Sequence, residues 1–313
     1  MIALRYGPGM TQRWFGTGEV IHPVVSVGAF ADLHLTRAIG IDGVGNLWFA
    51  TNADLFRFDG TALARFGFAE PFAVTAIAAG PEGVVHIATH EGLLVFASGV
   101  FTLHRTNGDH HPTHVVTAPT GTTYLLTQDR GATTHHAVAF DGHAFREVAQ
   151  GAEVPPGLAL TCLAIDHVGE LVIGAAGAVA LRDDGTWKVF RGLDPASSSF
   201  APSVDAIAAQ LGALWFGTPE GVYEYRGKTF VLHRTEHPVT CLCVDGDEVW
   251  IGMRTGGLAR LRAGEVALFQ PGGTLLARED VTHLVRGTDG RIWVLSGGEV
   301  AFIREGEIER LPT

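Results

Sequence analysis

The densest group of side chains that could do chemistry lies in one short segment, Asp109-His-His-Pro-Thr-His114. His90 and Glu91 lie one sequence repeat earlier, so we expect them on an adjacent loop. Imidazole and carboxylate groups that converge from neighbouring loops are typical ligands of divalent metals. The His-His-x-x-His spacing on a loop is not a diagnostic motif, however, and the chain has 15 histidines. We therefore favour solvated or hydrogen-bonded loop histidines, and the alternative is a metal site drawn from His90, Glu91, His110, His111 and His114.

Other catalytic motifs are missing from the sequence. It contains no Gly-x-Ser-x-Gly turn and no Cys-x-x-Cys pair. Cys162 and Cys241 hold the same place in their repeats, which indicates small buried side chains rather than a reactive thiol. Gly256-Gly257 precedes neither a lysine nor a helical pattern, so we interpret it as a turn and not as a phosphate-binding loop. We predict no cofactor and favour binding over catalysis.

These candidates are carried by a repeated pattern of short strands. Its mark is an aromatic or apolar residue, two small or apolar residues, and then threonine or a small substitute. The copies are Trp14-Phe-Gly-Thr17, Trp48-Phe-Ala-Thr51, His86-Ile-Ala-Thr89, Tyr124-Leu-Leu-Thr127, Val172-Ile-Gly-Ala175, Trp215-Phe-Gly-Thr218, Trp250-Ile-Gly-Met253 and Trp293-Val-Leu-Ser296. An apolar run, usually opened by threonine as in Val74-Thr-Ala-Ile77, precedes each copy, and turns with Gly or Asp join the strands. Each repeat therefore predicts four short strands with alternating apolar and polar residues.

A four-stranded sheet with two apolar faces is stable only when both faces are covered, and a closed ring of such sheets covers them all. We predict an all-β fold, a single β-propeller of four-stranded antiparallel blades over residues 1–313. We favour eight blades, with seven blades and an N-terminal extension as the alternative. The predicted blades are about 1–35, 36–72, 73–111, 112–157, 158–202, 203–237, 238–279 and 280–313. Each blade is contiguous in sequence, so the ring should close by packing of its first and last blades.

The repeat, with its apolar-Thr-x-apolar run, Gly/Asp turn and Trp-apolar-Gly-Thr strand, resembles the two-component regulator propeller repeats. Val74 to His104 and Val204 to His233 match that pattern best, and the two repeats between them depart most. The resemblance implies a propeller fold and a ligand-sensing role. Such repeats usually form domains outside the cell that are fused to a membrane segment and a histidine kinase, neither of which this sequence shows.

The loops that join second to third strands and the connectors between blades share one propeller face, around the channel mouth. The ligand-binding candidates predicted there are Asn52, Asp54, His90, Glu91, His111, His114, Asp129, Arg130, Glu220, Arg254 and His283. They form a mixed polar rim suited to a protein or peptide partner, so a binding or scaffold module is the leading hypothesis. The alternative is a small-molecule binder or metal-assisted enzyme that resembles the propeller lyases of streptogramin-type antibiotics. That resemblance implies a histidine, a glutamate and a magnesium ion at the mouth, with His90, Glu91, His110, His111, His114 and His283 as the residues concerned.

Charge and composition limit the classes of partner that we expect this protein to bind. Lysine and arginine total 22 against 33 aspartates and glutamates, a formal net charge of −11. Such a surface repels nucleic-acid phosphates and anionic lipid, so we predict neither partner. No stretch has the length and apolar character of a signal peptide or membrane span, and the chain has only 3 cysteines. A cytoplasmic location is therefore the expectation.

Overall fold

Antiparallel strands make up nearly all of the regular structure. The computed structural model describes residues 13–15, 18–28, 35–70, 72–106, 110–129, 131, 135–148, 158–183, 186–192, 203–269 and 280–311. Within these ranges no helix is long and apolar enough to cross a membrane. A 3-10 turn spans Pro81–Gly83.

Seven sheets each contain four consecutive strands in the order of the sequence. The first strands of the seven blades are β4 (Ala38–Ile41), β8 (Val74–Ala79), β12 (His110–Thr117), β16 (Leu160–Ile165), β20 (Ala206–Gln210), β24 (Val239–Asp245) and β28 (Val281–Arg286). The second strands are β5 (Leu47–Ala50), β9 (Val85–Thr89), β13 (Thr123–Asp129), β17 (Leu171–Ala175), β21 (Ala213–Thr218), β25 (Glu248–Met253) and β29 (Ile292–Ser296).

Third and fourth strands complete each blade toward the outside. The third strands are β6 (Asp54–Phe58), β10 (Gly92–Ala97), β14 (His135–Phe140), β18 (Ala178–Asp183), β22 (Gly221–Arg226), β26 (Gly257–Arg262) and β30 (Glu299–Arg304). The fourth strands are β7 (Leu63–Gly67), β11 (Val100–Arg105), β15 (Ala144–Glu147), β19 (Thr186–Arg191), β23 (Thr229–Arg234), β27 (Glu265–Phe269) and β31 (Glu307–Arg310).

The ring closes through contacts between the first strands of neighbouring blades. Each first strand touches the next one, and β28 of blade 7 touches β4 of blade 1. No strand is exchanged at this junction in the described chain. It is held by a shared apolar cluster in which Phe58 lies edge-on to Trp293, and by a hydrogen bond from the Thr36 N–H to the Gly298 carbonyl (3.0 Å). The predicted propeller, closed by packing of the first and last blades, is confirmed.

The favoured count of eight blades is wrong, and the alternative of seven blades with an N-terminal extension is the arrangement observed. The three N-terminal strands β1 (Arg13–Phe15), β2 (Gly18–Ile21) and β3 (Val24–Val27) do not pair with one another. They add fifth, outermost strands to blades 3, 2 and 1, pairing with β15, β11 and β7 respectively. We call these three strands the N-terminal strap. An open sheet edge can pair with any extended segment that offers backbone N–H and C=O groups. The strand-like pattern of the N-terminal residues therefore did not show which strands they would pair with.

The repeated threonine at the end of the second strand shapes the turn that follows. In blade 2 the Thr89 hydroxyl donates to the Gly92 carbonyl (3.0 Å) and accepts from the Glu91 N–H (3.2 Å). In blade 5 Thr218 makes the same two bonds, to Gly221 and Glu220, at 2.9 and 3.2 Å. Both threonines are buried, so their hydroxyls supply hydrogen bonds to backbone groups of the turn that water does not reach.

One buried carboxylate organises the first turn of blade 1. Asp42 accepts hydrogen bonds from the Val44 N–H (3.1 Å), from the Asn46 N–H and side-chain amide (both 2.8 Å), and from the Trp48 indole N–H (2.8 Å). Asp166 holds the matching turn of blade 4 through only two backbone N–H groups, those of Val168 and Glu170. Asp42 thus ties a turn to a core tryptophan, whereas Asp166 only stabilises a turn.

The two faces of the ring differ in how neighbouring blades meet. We call the face with the second-to-third turns and the connectors between blades the mouth face. On the opposite face, turns from adjacent blades contact one another. Thr288 of blade 7 lies against Gly45 of blade 1, and the Gln210 side-chain amide of blade 5 donates to the Gly246 carbonyl of blade 6. A Cβ at Gly45 would lie 2.2 Å from the Thr288 hydroxyl oxygen, so this contact requires glycine.

We expect Asp42→Ala to lower the free energy of unfolding by about 2–4 kcal/mol, because it leaves the buried Trp48 indole N–H and the turn amides without their acceptor. Asp166→Ala is the matched control and should cost only about 1–2 kcal/mol, because no core side chain depends on it. Urea titration of both variants measures the two losses. Equal losses would show that the bond to Trp48 adds nothing to the stability of the blade.

Candidate functional site

A large cavity opens at the channel mouth, on the mouth face of the ring. Its volume is about 730 Å³, within the usual range for ligand pockets. Blades 7, 1, 2 and 3 contribute to its wall. The lining residues are Leu35, Thr36, Arg37, Thr51, Asn52, Ala73, Val74, Thr75, His90, Thr113, Asp280, Thr282, His283, Gly297 and Gly298. The cavity therefore lies on the face where the sequence predicted the candidate residues.

Three of the predicted candidates line this cavity: Asn52, His90 and His283. Asn52 follows β5 in the second-to-third turn of blade 1, and its Oδ1 accepts a hydrogen bond from Nε of Arg37. His90 occupies the equivalent turn of blade 2, and its backbone N–H donates to the Ala73 carbonyl (3.1 Å). His283 lies on β28, where its Nδ1 is 3.2 Å from the Thr282 hydroxyl. The repeat thus brings turns and first strands of different blades to one opening.

The histidines of the mouth have lowered pKa values. Removal from water lowers the pKa of His283 to about 4. His114 on β12 also has its pKa lowered to about 4, by burial and by the nearby His135 and His283. Partial burial, with His111 nearby, lowers the pKa of His90. Near neutral pH these imidazoles are uncharged, so they offer hydrogen-bonding groups without positive charge.

Two of the predicted blade-3 residues are committed to contacts within the protein. Nδ1 of His111 donates to the carbonyl of His90 (2.6 Å), and the two rings lie 5.5 Å apart. Asp129 contacts Nδ1 of His110 (2.5 Å) and Nε2 of His136 (3.2 Å). The other ring nitrogen of His136 lies 3.2 Å from Glu147, whose pKa is raised by burial. This chain of contacts connects all four strands of blade 3.

Asp54, Glu91 and Glu220 do not line the cavity. Asp54 forms an ion pair with Arg65 at 2.8 Å, and Glu91 pairs with Arg105. Glu220 accepts a hydrogen bond from the Tyr223 hydroxyl at 3.3 Å on blade 5.

Arg254 does not line the described cavity. Arg254 is exposed on blade 6, and only its backbone makes described hydrogen bonds, to Pro238 and Thr255. Arg130 lies outside the described residues.

The residues suspected as metal ligands do not converge. Within the described part of the chain, no three His, Cys, Asp or Glu side chains are arranged to hold a metal ion. Glu91 is paired with Arg105, and His110 is paired with Asp129. His111 is hydrogen-bonded to the His90 carbonyl. These residues therefore do not fit the magnesium site that the lyase resemblance implies, and the hypothesis of a metal site at these positions gains no support.

Cys162 and Cys243 are buried, whereas Cys241, predicted to be buried like Cys162, is half-buried. Burial raises the pKa of Cys162, Cys241 and Cys243 to about 12. The Cys162 thiol donates to the Val204 carbonyl of the next blade (3.3 Å). A thiol with so high a pKa is almost never a thiolate at neutral pH, so these side chains serve packing.

Arg37 is a charged residue of the cavity wall that the sequence analysis did not single out. It stands immediately before β4, at the position that Thr75, Thr113, Thr161, Thr240 and Thr282 occupy in other blades. The sequence nevertheless contained a signal for Arg37, because a long cationic side chain replaces a small hydroxyl residue at an equivalent position of the repeat. Features common to the repeats do not reveal Arg37, because it differs from the residues at the equivalent positions.

A second cavity, of about 470 Å³, lies between blades 6 and 7 on the opposite face. Most of its charged groups are paired with one another or with near neighbours. The pairs are Asp245 with Arg286, Glu248 with Arg260, and Asp289 with Arg291. This cavity therefore offers less unmatched polar chemistry than the channel mouth.

Known structures share this fold. The chain is similar to virginiamycin B lyase from Staphylococcus aureus solved with quinupristin, with 12% identity, a TM-score of 0.69, and coverage of 88% of this chain and 97% of that chain. It is also similar to YCF48 bound to D1 peptide, with 11% identity, a TM-score of 0.66, and coverage of 94% and 98%.

A third similar structure is the extracellular domain of a hybrid two-component system from B. thetaiotaomicron, with 18% identity and a TM-score of 0.66. The match covers 91% of this chain but only 42% of that chain. A scan against protein-family models and a search of curated proteins return no match. At these identities the similarities establish the propeller fold and nothing finer.

Stability should depend on pH through His86, which occupies the tryptophan position of blade 2. Its ring nitrogens contact the Thr117 and Thr123 hydroxyls at 3.0 and 3.3 Å, and burial, with His104 nearby, lowers its pKa to about 4. The unfolded chain binds this proton near pH 6.5. The stabilisation is thus complete above about pH 6.5 and is lost as the pH falls toward about 4, by up to about 3 kcal/mol.

Urea titrations between about pH 7.5 and about pH 4.5 test this dependence. His86→Gln retains hydrogen-bonding groups but does not titrate, so its unfolding free energy should fall less steeply on acidification than that of the wild type. His143→Gln, at an exposed turn position, is the control and should follow the wild type. Parallel curves for wild type and His86→Gln would show that this histidine is not the acid-sensitive group.

Proposed function

We propose that this protein is a binding module that recognises a peptide segment of a protein partner at the mouth face. The ligand occupies the cavity between blades 7, 1, 2 and 3 and extends over the surrounding turns. The propeller serves as a rigid frame, and the connectors and second-to-third turns supply the contacts, as loops on rigid scaffolds commonly do. We place this module in the cytoplasm, as the sequence suggests.

The observation that carries the proposal is the composition of the cavity wall. It combines threonine hydroxyls, the Asn52 amide, two uncharged imidazoles and exposed glycine backbone with apolar surface from Leu35, Ala73 and Val74. A peptide presents backbone N–H and C=O groups at short intervals, and this wall offers donors and acceptors that match them. A volume of about 730 Å³ accepts part of a peptide rather than a folded domain.

Two further observations support binding over catalysis. The buried cysteines carry no reactive thiol, and the candidate histidines are bonded to backbone, hydroxyl or carboxylate groups of the protein itself. YCF48, which has the same fold, is known with a bound peptide, so a propeller of this architecture is compatible with such a ligand.

Selection from a random peptide library tests the proposal. Peptides selected on the wild-type protein should lose about tenfold or more in affinity for Ala73→Trp, which places a large ring in the cavity. Ala73 is exposed in the cavity wall just before β8, so the substitution fills space without disturbing the core. Fluorescence polarisation with labelled peptides measures the loss.

Leu211→Trp provides the matched control. Leu211 is 81% exposed in the first turn of blade 5, on the opposite face. The same ring added there should leave peptide affinity unchanged. If no peptide is enriched, or if Leu211→Trp weakens binding as much as Ala73→Trp does, recognition of peptides at the mouth face is refuted.

A further inference from the structure

Arg37 lies at the channel mouth, at a repeat position that most blades fill with threonine. In five blades this position is Thr75, Thr113, Thr161, Thr240 or Thr282, just inside or at the start of the first strand. Their hydroxyls donate to carbonyl groups, for example from Thr75 to Pro112 of the next blade (2.9 Å) and from Thr113 to Leu126 (3.1 Å). Blade 5 has Asp205 there and blade 1 has Arg37, so the ring of hydroxyls is broken at two places.

Arg37 does not fill the structural role of the threonines. Its side chain is exposed, lines the cavity, and is held through Nε by Oδ1 of Asn52. Both Nη groups have no acceptor among the residues that the structure describes. A guanidinium fixed through Nε has its plane set, so the Nη groups present a fork that matches a carboxylate.

The charge around Arg37 favours an anionic group at this point. Among the residues that line the cavity the single acid is Asp280, and its Oδ1 accepts the Thr255 N–H at 2.7 Å. His90 and His283 are uncharged near neutral pH, and the threonine hydroxyls carry no charge. The cavity therefore holds a single oriented cation without a described carboxylate partner, inside a protein whose net charge is −11. Such a pairing is local, because screening confines charge effects to about 10 Å at ordinary salt.

We propose that Arg37 receives a carboxylate of the bound peptide, with Asn52 as the residue that positions it. This inference rests on the proposed peptide-binding function and adds the chemical class of the group that is recognised. The carboxylate is that of an aspartate or glutamate side chain, or that of the peptide C-terminus. Both present the same pair of oxygens to the guanidinium fork.

Peptide arrays separate these two sources. One array carries random sequences with a single glutamate, a second carries the same sequences with glutamine, and both have blocked C-termini. A third carries the glutamine sequences with free C-terminal carboxylates. The wild-type protein should prefer the glutamate array, the free-carboxylate array or both over the blocked glutamine array by about tenfold or more, as expected for a charge-assisted pair.

Variants of Arg37 decide whether this preference arises at the mouth. Arg37→Met should abolish the preference for carboxylate, Arg37→Lys should retain part of it, and Asn52→Ala should reduce it. Arg234→Met is the matched control, because Arg234 is an exposed arginine at the end of β23 on the same face but not in the cavity wall. It should leave the preference intact. Equal thermal stability of the variants verifies their folding.

The outcomes for this inference and for the proposed function differ. Wild-type binding without any preference for carboxylate, or a preference that persists in Arg37→Met, refutes the role of Arg37 and leaves peptide recognition standing. A complete lack of binding to all three arrays refutes the proposed function itself, together with the inference that depends on it.

Discussion

The structure depends on the contact between the first strand of each blade and that of the next. A closed ring without an exchanged strand has no strand shared by its first and last blades, so side-chain packing and single hydrogen bonds must hold the final junction. Near the mouth, hydroxyls from Thr75, Thr161 and Thr240 donate to carbonyls of the following blade. Below them, apolar clusters extend from one blade into the next, including the cluster that joins blades 7 and 1. A hydrogen bond of this kind contributes about 1 kcal/mol, so the buried apolar surface supplies most of the stabilisation.

The same contact explains where the site can form. In these first strands the register shifts around the threonine, for instance between Val74 and Ala76 and between Val281 and His283. Such a bulge turns one side chain out of the regular alternation and toward the neighbouring strand. Arg37 stands where most blades have this threonine, and its side chain reaches into the cavity instead. In blade 1 this position of the repeat therefore carries a cation that lines the cavity.

The N-terminal strap adds to the blades that build the cavity. It extends blades 1, 2 and 3 by one outer strand each, and these blades with blade 7 supply the cavity wall. Val24, Val25 and Val27 of the strap are exposed, so β3 is held chiefly by its backbone hydrogen bonds to β7. Arg105 of blade 2 reaches both Glu91 beside the cavity and Glu19 of the strap, which links the outer edge of that blade to its mouth.

The sequence by itself determined the class of fold, because strand alternation and turn chemistry are local. Trp48, Trp215, Trp250 and Trp293 all lie on second strands, and Thr89 and Thr218 form the turns that their spacing implied. The sequence also predicted the face on which the cavity opens and three of the residues that line it, because a regular repeat places equivalent turns on the same side. Only the tertiary structure decided the number of blades. Trp14 lies in a segment with the pattern of a blade, but β1 pairs with an edge far along the chain, and pairing between distant edges leaves no local signal. Only the tertiary structure decided, too, which polar side chains are available. The residue types of His110, His111 and Asp129 suit a binding site, but each of these side chains contacts a residue of another strand or blade. Arg37, in contrast, lines an open cavity.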